Sequence, residues 1–388
     1  MNIGFFTDTY LPQINGVVTS IEIFRKELIK KGHTVFVYGP HLYRGENMAF
    51  DQANHVYRFY SIPYFRQKEH RIVFPFSHKF WNFRKYKLDI IHTHTYFPMG
   101  IYAAYLGKRY RIPLVHTYHT LWAEYAHYSF LPRASSRKAL MWGSKVYCNL
   151  CDLIISPSEA IKDVLNFYGV TKPIKVLPTG IETDIIRNKA DFDVRTQFKI
   201  KPGLKILCFI GRFGREKNLY FLLRAFKLIQ QYIQDCVLLM VGDGPEMKGL
   251  TAYSRELGIS GKIIFTGYLE REKVMSALFS ATLFLSTSET ETQGLSIIEA
   301  MTAGVPAVVV DAMGVAETVA GNVGGLLAKA DENDFASKVI MILSDKKLYD
   351  EKAKETVLVK RKFSASNNAS LLVENYEKLL SVKRLAGN

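Results

Sequence analysis

Ser286-Thr-Ser-Glu-Thr-Glu-Thr-Gln-Gly-Leu-Ser-Ile-Ile-Glu-Ala-Met-Thr-Ala-Gly-Val-Pro306 is the stretch on which the reading of the chain turns. An apolar run from Thr282 to Thr287 reads as a strand and ends here in a polar loop. Gly294 then opens a segment with Leu295, Ile298 and Met301 at helical spacing. Gly304 stops it, and Val305 to Val310 reads as the next buried strand. Glu291 therefore falls in the loop before a helix, and Glu299, eight residues on, falls inside that helix. The amides around Gly294 and Leu295 form a natural seat for a phosphate. A carboxylate one turn further in can accept hydrogen bonds from two neighbouring hydroxyls, as on a ribose. Two glutamates alone are equally well solvated charges. In this strand–loop–helix frame they point to a nucleotide-sugar site.

The same alternation runs outward in both directions. Ile3 to Thr7, Thr34 to Tyr38, Val56 to Ile62, Asp89 to His94, Leu114 to Tyr118, Leu153 to Pro157 and Ile174 to Leu177 read as strands. A helix over Gly16 to Lys31 turns Ile21, Phe24, Leu28 and Ile29 inward. A second series begins at Lys205-Ile-Leu-Cys-Phe-Ile-Gly211 and continues through Val237 to Val241, Ile263 to Thr266, Leu283 to Thr287 and Pro306 to Val310. This is the pattern of βαβ units with parallel sheets covered on both faces. The expected fold class is α/β, with two doubly wound Rossmann-like domains facing a cleft and ligand at the carboxyl ends of the strands. The domains are expected at 1–180 and 181–364, with polar residues 181–203 as the linker. A final helix, about 365–388, is expected to cross back to the first domain.

At 388 residues, 48% hydrophobic and 22% charged, the chain is sized for two ordinary globular domains. No apolar run approaches a membrane span, and Met1 leads straight into a strand, so no signal peptide is expected. A cytoplasmic protein follows, acting at a membrane only from the surface. Cys208 and Cys236 sit in strand-like runs as small hydrophobes. Cys148 and Cys151 have redox spacing but lie at a helix end, whereas reactive thiols favour helix starts. The charge is uneven. Residues 1–180 hold 23 Lys/Arg against 11 Asp/Glu, a net of +12, and residues 181–388 hold 28 against 25, a net of +3. All ten histidines lie in the first 127 residues. The first domain is thus expected to meet an anionic surface.

Three further loops follow strands. Asn15-Gly16 precedes a helix, where Gly16 lets backbone approach an anionic ligand. The Gly-x-Gly-x-x-Gly fingerprint of dinucleotide enzymes is missing there, as is a P-loop. Gly211-Arg-Phe-Gly-Arg-Glu-Lys-Asn218 carries Arg212 and Lys217, a guanidinium fork and a point charge suited to a diphosphate. Leu114-Val-His-Thr-Tyr-His-Thr120 places His119 just past a strand; His92, His94 and His116 read equally as structural. Together with Glu-x7-Glu, the Arg/Lys spacing resembles the family 4 glycosyltransferases, retaining enzymes of the GT-B fold. That family usually has Gly and an aromatic where this chain has Thr292 and Gln293, which bears on how the donor sugar is read. The resemblance implies that Arg212, Lys217, Gly294 and Leu295 bind the donor diphosphate and that Glu299 binds the ribose. It further implies that Glu291 binds the sugar hydroxyls and that His119 lies near the anomeric carbon. No metal or other cofactor is then expected. Asp191-Phe-Asp193 has the Asp-x-Asp form of a metal motif but reads here as solvated linker charge.

The acceptor is sought in the first domain. Residues 57–87 carry eight Lys/Arg and one Glu among many aromatics. A helix there would set Phe76, Phe80 and Phe83 on one face, which is the composition of a membrane-interface helix or of an amphipathic helix packed on the sheet. Lys79, Phe80, Trp81, Arg84, Lys85 and Lys87 are the residues expected to meet lipid. His92-Thr-His-Thr-Tyr-Phe-Pro-Met-Gly100 and the segment from His119 to Tyr128 are similar to bacterial 1,2-diacylglycerol 3-glucosyltransferases. That likeness implies UDP-glucose as donor, diacylglycerol as acceptor and anionic lipids as partners. Two alternatives stay open: another lipid or soluble sugar acceptor, and a basic nucleic-acid-binding protein, for which no recognised module is visible.

Overall fold

Short buried strands, each leading into a helix that returns to the same edge, build two separate parallel sheets. The computed structural model describes residues 1–42, 45–64, 67–75, 87–124, 132–181 and 192–386. They divide into two units, Met1–Gly180 with Ala365–Asn388, and Ile181–Ser364.

In the first unit the strands are β1 (Asn2–Phe6), β2 (Thr34–Pro40), β3 (Val56–Phe59), β6 (Ile90–Thr93), β7 (Leu114–Thr117), β8 (Leu153–Ser156) and β9 (Ile174–Val176). A side ribbon of β4 (Ser61–Tyr64) and β5 (Gln67–Val73) pairs antiparallel. The sheet order is β3-β2-β1-β6-β7-β8-β9, all parallel. The period-two pleat sends Ile3, Phe5, Val35 and Val37 to one core and Phe6, Phe36 and Tyr38 to the other. Helix Gly16–Lys30 covers the former face through Ile21, Phe24 and Leu28, beside Ala369, Leu372 and Tyr376 of the final helix, Ala365–Ala386. Helices Pro98–Tyr110, Arg133–Leu150 and Glu159–Phe167 cover the latter. The last helix of the chain is therefore a part of the first unit.

The second unit orders β10 (Lys205–Ile210), β11 (Cys236–Val241), β12 (Ile263–Gly267), β13 (Leu283–Ser286), β14 (Ala307–Val310) and β15 (Gly325–Ala328) as β12-β11-β10-β13-β14-β15. Both of its faces are buried, one around Leu207, Phe209, Leu238 and Met240, the other around Ile206, Cys208, Val237 and Leu239.

In each sheet the chain starts at the centre, winds to one edge and then resumes on the other side of its first strand. The reversal falls between β1 and β6 in the first unit and between β10 and β13 in the second. At such a switch point the loops diverge and leave a crevice at the strands' carboxyl ends.

The linker reading is corrected in part. Val194 and Ile200 are buried in the second unit's core, with Phe192 and Phe198 packed against it. Asp193 caps the short helix Val194–Gln197, accepting from the amides of Arg195 and Thr196. Four apolar side chains in a polar stretch were enough to dock it, although they match no regular period. Asp191 lies outside the described residues. So do Lys79, Phe80, Trp81, Arg84 and Lys85, on which the expected lipid-binding helix rests. Lys87 is exposed, and its carbonyl accepts from the Asn2 side chain at 3.4 Å.

Candidate active site

The second unit gathers charged groups at its switch point. The loop after β10 brings Arg212 and Lys217; the loop after β13 brings Glu289 and Glu291. Side chains of the second loop hold the backbone of the first. Thr287 Oγ1 donates to the Lys217 and Asn218 carbonyls at 3.0 and 3.2 Å, and Ser288 Oγ donates to the Glu216 carbonyl at 2.8 Å. Both hydroxyls are buried, so each bond spares a desolvated polar group. Lys217 pairs with Glu291, and Arg212 donates to Glu216 at 3.2 Å. Asn218 donates to Glu289 at 3.0 Å.

Behind this pair stands helix Leu295–Thr302. Its N-cap is Gly294 at φ +78°, with no side chain capping the first-turn amides. A Cβ at Gly294 would lie 2.8 Å from Ile297 Cδ1 and 2.9 Å from Val315 Cγ1, so both backbone conformation and space require glycine. The loop before it is gripped from behind. The Gly314 amide donates to the Glu291 carbonyl at 3.1 Å, and Thr318 Oγ1 donates to the Gln293 carbonyl at 3.0 Å. Gln293 is thereby buried, so at this departure from the usual family pattern its backbone serves to anchor the loop. Glu299 lies one turn into the helix, buried, and pairs with Arg271, the first residue of helix Arg271–Ser280, which follows β12. Uncapped amides, two cations and two carboxylates thus follow the two switch-point strands, a combination that suits a diphosphate with a polyhydroxy group on either side.

The first unit's switch point is built differently. Asp8 follows β1; its carboxylate accepts from Thr95 Oγ1 at 2.5 Å and from the Met99 amide at 3.2 Å. Burial pushes it up to about 6. His92 on β6 is held by Tyr376 and Thr117, and His116 on β7 by Thr93. His94 follows β6 and lies against His119, Nδ1 to Nε2, at 2.9 Å. Burial drives His92 and His94 well below the ordinary imidazole range and lowers His116 and His119 to about 3. The cluster is neutral. Gly16 is exposed at the start of its helix, where the Asn15 side chain already accepts from the Val18 amide.

Arg212, Lys217, Glu291, Gly294, Leu295 and Glu299 thus fall at one switch point, and His119 and Gly16 belong to loops of the first unit. Sequence reasoning missed Thr287, Ser288, Arg271 and Asp8. Asp8 and Ser288 each lie two residues past a strand end, and Thr287 one, which was a positional signal; Arg271 had none. All four cysteines are buried thiols, with Cys148 pushed up to about 12 by burial. Among the described residues no His, Cys, Asp or Glu cluster is arranged to hold a metal ion. No helix among them is long and apolar enough to cross a membrane.

Comparison with known proteins identifies the family. Residues 14–185 match the glycosyltransferase family 4 model, and residues 191–360 match that of the glycosyl transferases group 1. An α-monoglucosyldiacylglycerol synthase of Streptococcus pneumoniae is 34% identical over 79% of this chain and 70% of its own length. Its namesake from Acholeplasma laidlawii is 30% identical over 80% of each. Among solved structures, the sucrose-phosphate synthase of Thermosynechococcus elongatus aligns at a TM-score of 0.77, covering 98% of this chain and 100% of that one at 19% identity. Anabaena HepE, solved with UDP and glucose, also aligns at 0.77, covering 97% and 100%. The chain belongs to the family 4 glycosyltransferases: it is a hexosyltransferase of the GT-B fold, and α-monoglucosyldiacylglycerol synthases are among its relatives.

Proposed function

We propose that the enzyme transfers glucose from UDP-glucose to the 3-hydroxyl of 1,2-diacylglycerol, with retention, giving α-monoglucosyldiacylglycerol. The observation that carries this reading is the 34% identity to the pneumococcal synthase over most of both chains. In the reaction the bond from the anomeric carbon to the diphosphate oxygen breaks. The bond to the acceptor oxygen forms on the same face, and the acceptor proton leaves on the departing phosphate. Charge grows on the diphosphate as it leaves, so fixed donors aimed there lower the barrier. Arg212, Lys217 and the amides of Gly294 and Leu295 take that role, and with them the chemistry needs no metal ion. Glu299 accepts from the ribose hydroxyls and Glu291 from those of the sugar, each exchanging its present partner, Arg271 or Lys217, for the donor. His119 is assigned to the sugar and Gly16 to the phosphate.

Work on a lipid acceptor places the enzyme at the cytoplasmic face of the membrane, bound peripherally through its first unit. In support, helices Pro98–Tyr110 and Arg133–Leu150 contain six Lys/Arg and no acid. Their outer faces expose Ile101, Tyr105, Trp142 and Val146 beside Lys108, Arg109, Lys138 and Lys145. Basic groups framing aromatic and aliphatic side chains suit the headgroup region of an anionic bilayer.

The test is incubation with UDP-glucose and vesicles containing dioleoylglycerol, with and without chelator, followed by mass and linkage analysis of the lipid. An α-linked monoglucosyl lipid formed in chelator is the expected product. A 28% identical relative from Bacillus anthracis is an N-acetyl-α-D-glucosaminyl L-malate synthase, so malate is the soluble control acceptor. Transfer to malate and none to diacylglycerol overturns the lipid assignment.

A further inference from the structure

The loop between β10 and helix Leu219–Tyr232 carries both Arg212 and Lys217, and its two ends are anchored by different means. Arg212 precedes Phe213, whose ring is fully buried, 6.1 Å from that of Phe209 and 6.2 Å from that of Phe265. The Phe213 amide donates to the Asp243 carbonyl at 2.9 Å, and the Glu246 amide donates to the Phe213 carbonyl at 3.0 Å. A Cβ at Gly244 would lie 2.6 Å from the Phe213 carbonyl oxygen, so the two backbones touch. The Arg212 end of the loop is thus tied to the core and to the segment after β11.

The Lys217 end has no such ring. Lys217 closes a single 3₁₀ turn, Arg215–Lys217, in which no residue is buried, and Asn218 follows in the left-handed region at φ +51°. The loop after β13 holds this corner by hydroxyls. Ser288 takes the carbonyl of Glu216, and Thr287 shares its one proton between those of Lys217 and Asn218. Three successive carbonyls are gripped in this way. Thr287 is 0% exposed and Ser288 1%, so water does not compete for the bonds. Lys is a point charge on a flexible stem, and where its ammonium can stand is set by where its Cα is held. Thr287 and Ser288 hold the backbone on both sides of that Cα.

We propose that Thr287 and Ser288 are positioning residues for Lys217, fixing its ammonium against the departing diphosphate, while Phe213 fixes Arg212 independently of them. The proposal rests on the reading of Lys217 as a ligand of the donor diphosphate. Neither hydroxyl touches the donor; both act through the backbone that carries the cation. The charge on the diphosphate grows as the bond to the anomeric carbon breaks, so a misplaced ammonium is felt in the transition state more than in the bound donor. The two anchors also make the two cations separable, because loosening one end of the loop leaves the other tied.

Double-mutant cycles on the full-length enzyme test this, with UDP released from UDP-glucose in the presence of dioleoylglycerol vesicles as the readout. Thr287→Val keeps the outline of the side chain without its hydroxyl, and Ser288→Ala is the milder second variant should Thr287→Val not fold. Each is expected to lower kcat about 10- to 100-fold, as for a misplaced group, with KM for the donor within about threefold. Thr287→Ser, which retains the hydroxyl, is expected to keep kcat within about threefold of the wild type. In a Lys217→Ala background the same changes should cost no more than about twofold, because the charge they position is gone, whereas in an Arg212→Ala background they should cost their full factor. A role in stability alone lowers turnover by one factor in all three backgrounds, and that result overturns the proposal. So does a loss that vanishes equally in Arg212→Ala, or an undiminished kcat in both Thr287→Val and Ser288→Ala. Undiminished kcat in Lys217→Ala itself overturns the reading of Lys217 on the diphosphate and the proposal with it, so that single variant tells the two failures apart.

Discussion

The two switch points solve opposite electrostatic problems. In the second unit the crevice is lined by charges, and each has a counter-charge close by: Lys217 with Glu291, Arg212 with Glu216, Arg271 with Glu299. In the first unit the corresponding loops carry imidazoles that burial keeps neutral, stacked and bonded to one another and to hydroxyls. One crevice thus concentrates paired charge, and the other neutral, directional hydrogen bonding, at the cost of an acid-sensitive core.

That cost offers the largest test of the comparison. Each of His92, His94, His116 and His119 has a folded pKa depressed below the unfolded value of 6.5. Such a group contributes stability that is whole above pH 6.5 and is lost as pH falls towards the folded value, near 3 for His116 and His119. The limiting slope is about 1.4 kcal/mol per pH unit for each imidazole. Asp8, raised to about 6, works the other way: it stabilises when protonated and gives back part of the loss between about pH 6 and 3.8. Four groups outweigh one. The second unit contains no histidine. Calorimetry should show one melting transition moving steeply down between pH 6.5 and 4.5 while another moves little. Two transitions that shift together would break the contrast.

The next effect is on chemistry. Arg212→Ala and Lys217→Ala should each lower kcat by about 10²–10³, roughly 3–4 kcal/mol of barrier, with the melting temperature preserved. Near-normal turnover in both would remove the leaving group from the charged crevice. A smaller loss is expected in binding. Glu299→Gln keeps the shape of the side chain but loses the charge and half the acceptor capacity, which weakens UDP binding by about 1.5–3 kcal/mol in calorimetric titration. An unchanged affinity would release Glu299 from the ribose. The least effect is expected at the outer face of the first unit. Lys138→Ser with Lys145→Ser should lower affinity for anionic vesicles by about 1 kcal/mol per residue at low salt, and Trp142→Ser should lower it even at high salt. Equal binding to neutral and anionic vesicles by the wild type would leave the +12 of residues 1–180 without that role.

How legible these regions were follows from what holds them together. The sheets were readable because strands buried on both faces are continuous apolar runs, and the helices between them announce their starts with Asn15, Ser158 and Asp331. The charged crevice was largely readable too, because Arg212, Lys217, Glu291 and Glu299 sit at fixed offsets from strand ends. Its scaffold was not. Thr287 and Ser288 bond backbone carbonyls some 70 residues earlier in the chain, and Arg271 reaches Glu299 from the start of another helix. Nothing in local spacing encodes those meetings. The histidine column was harder still. Four histidines at strand ends were visible, but which were structural depended on partners as remote as Tyr376. Residues 181–203 read as a linker because the stretch is polar and weakly patterned, yet Val194 and Ile200 are core.

The bond between Tyr376 and His92 spans 284 residues and joins the last helix to one of the earliest strands. It also sets a timetable. A ribosome adding about 5–20 residues per second delivers Tyr376 roughly 15–60 s after His92. For that interval the nascent first unit has its sheet but not the helix bearing Ala369, Leu372 and Tyr376, and the apolar strip they cover stands open. The second unit, contiguous from Ile181 to Ser364, has no such wait within its own boundaries. The half of the protein made first is therefore the half completed last, and it is there that a chaperone would find something to hold.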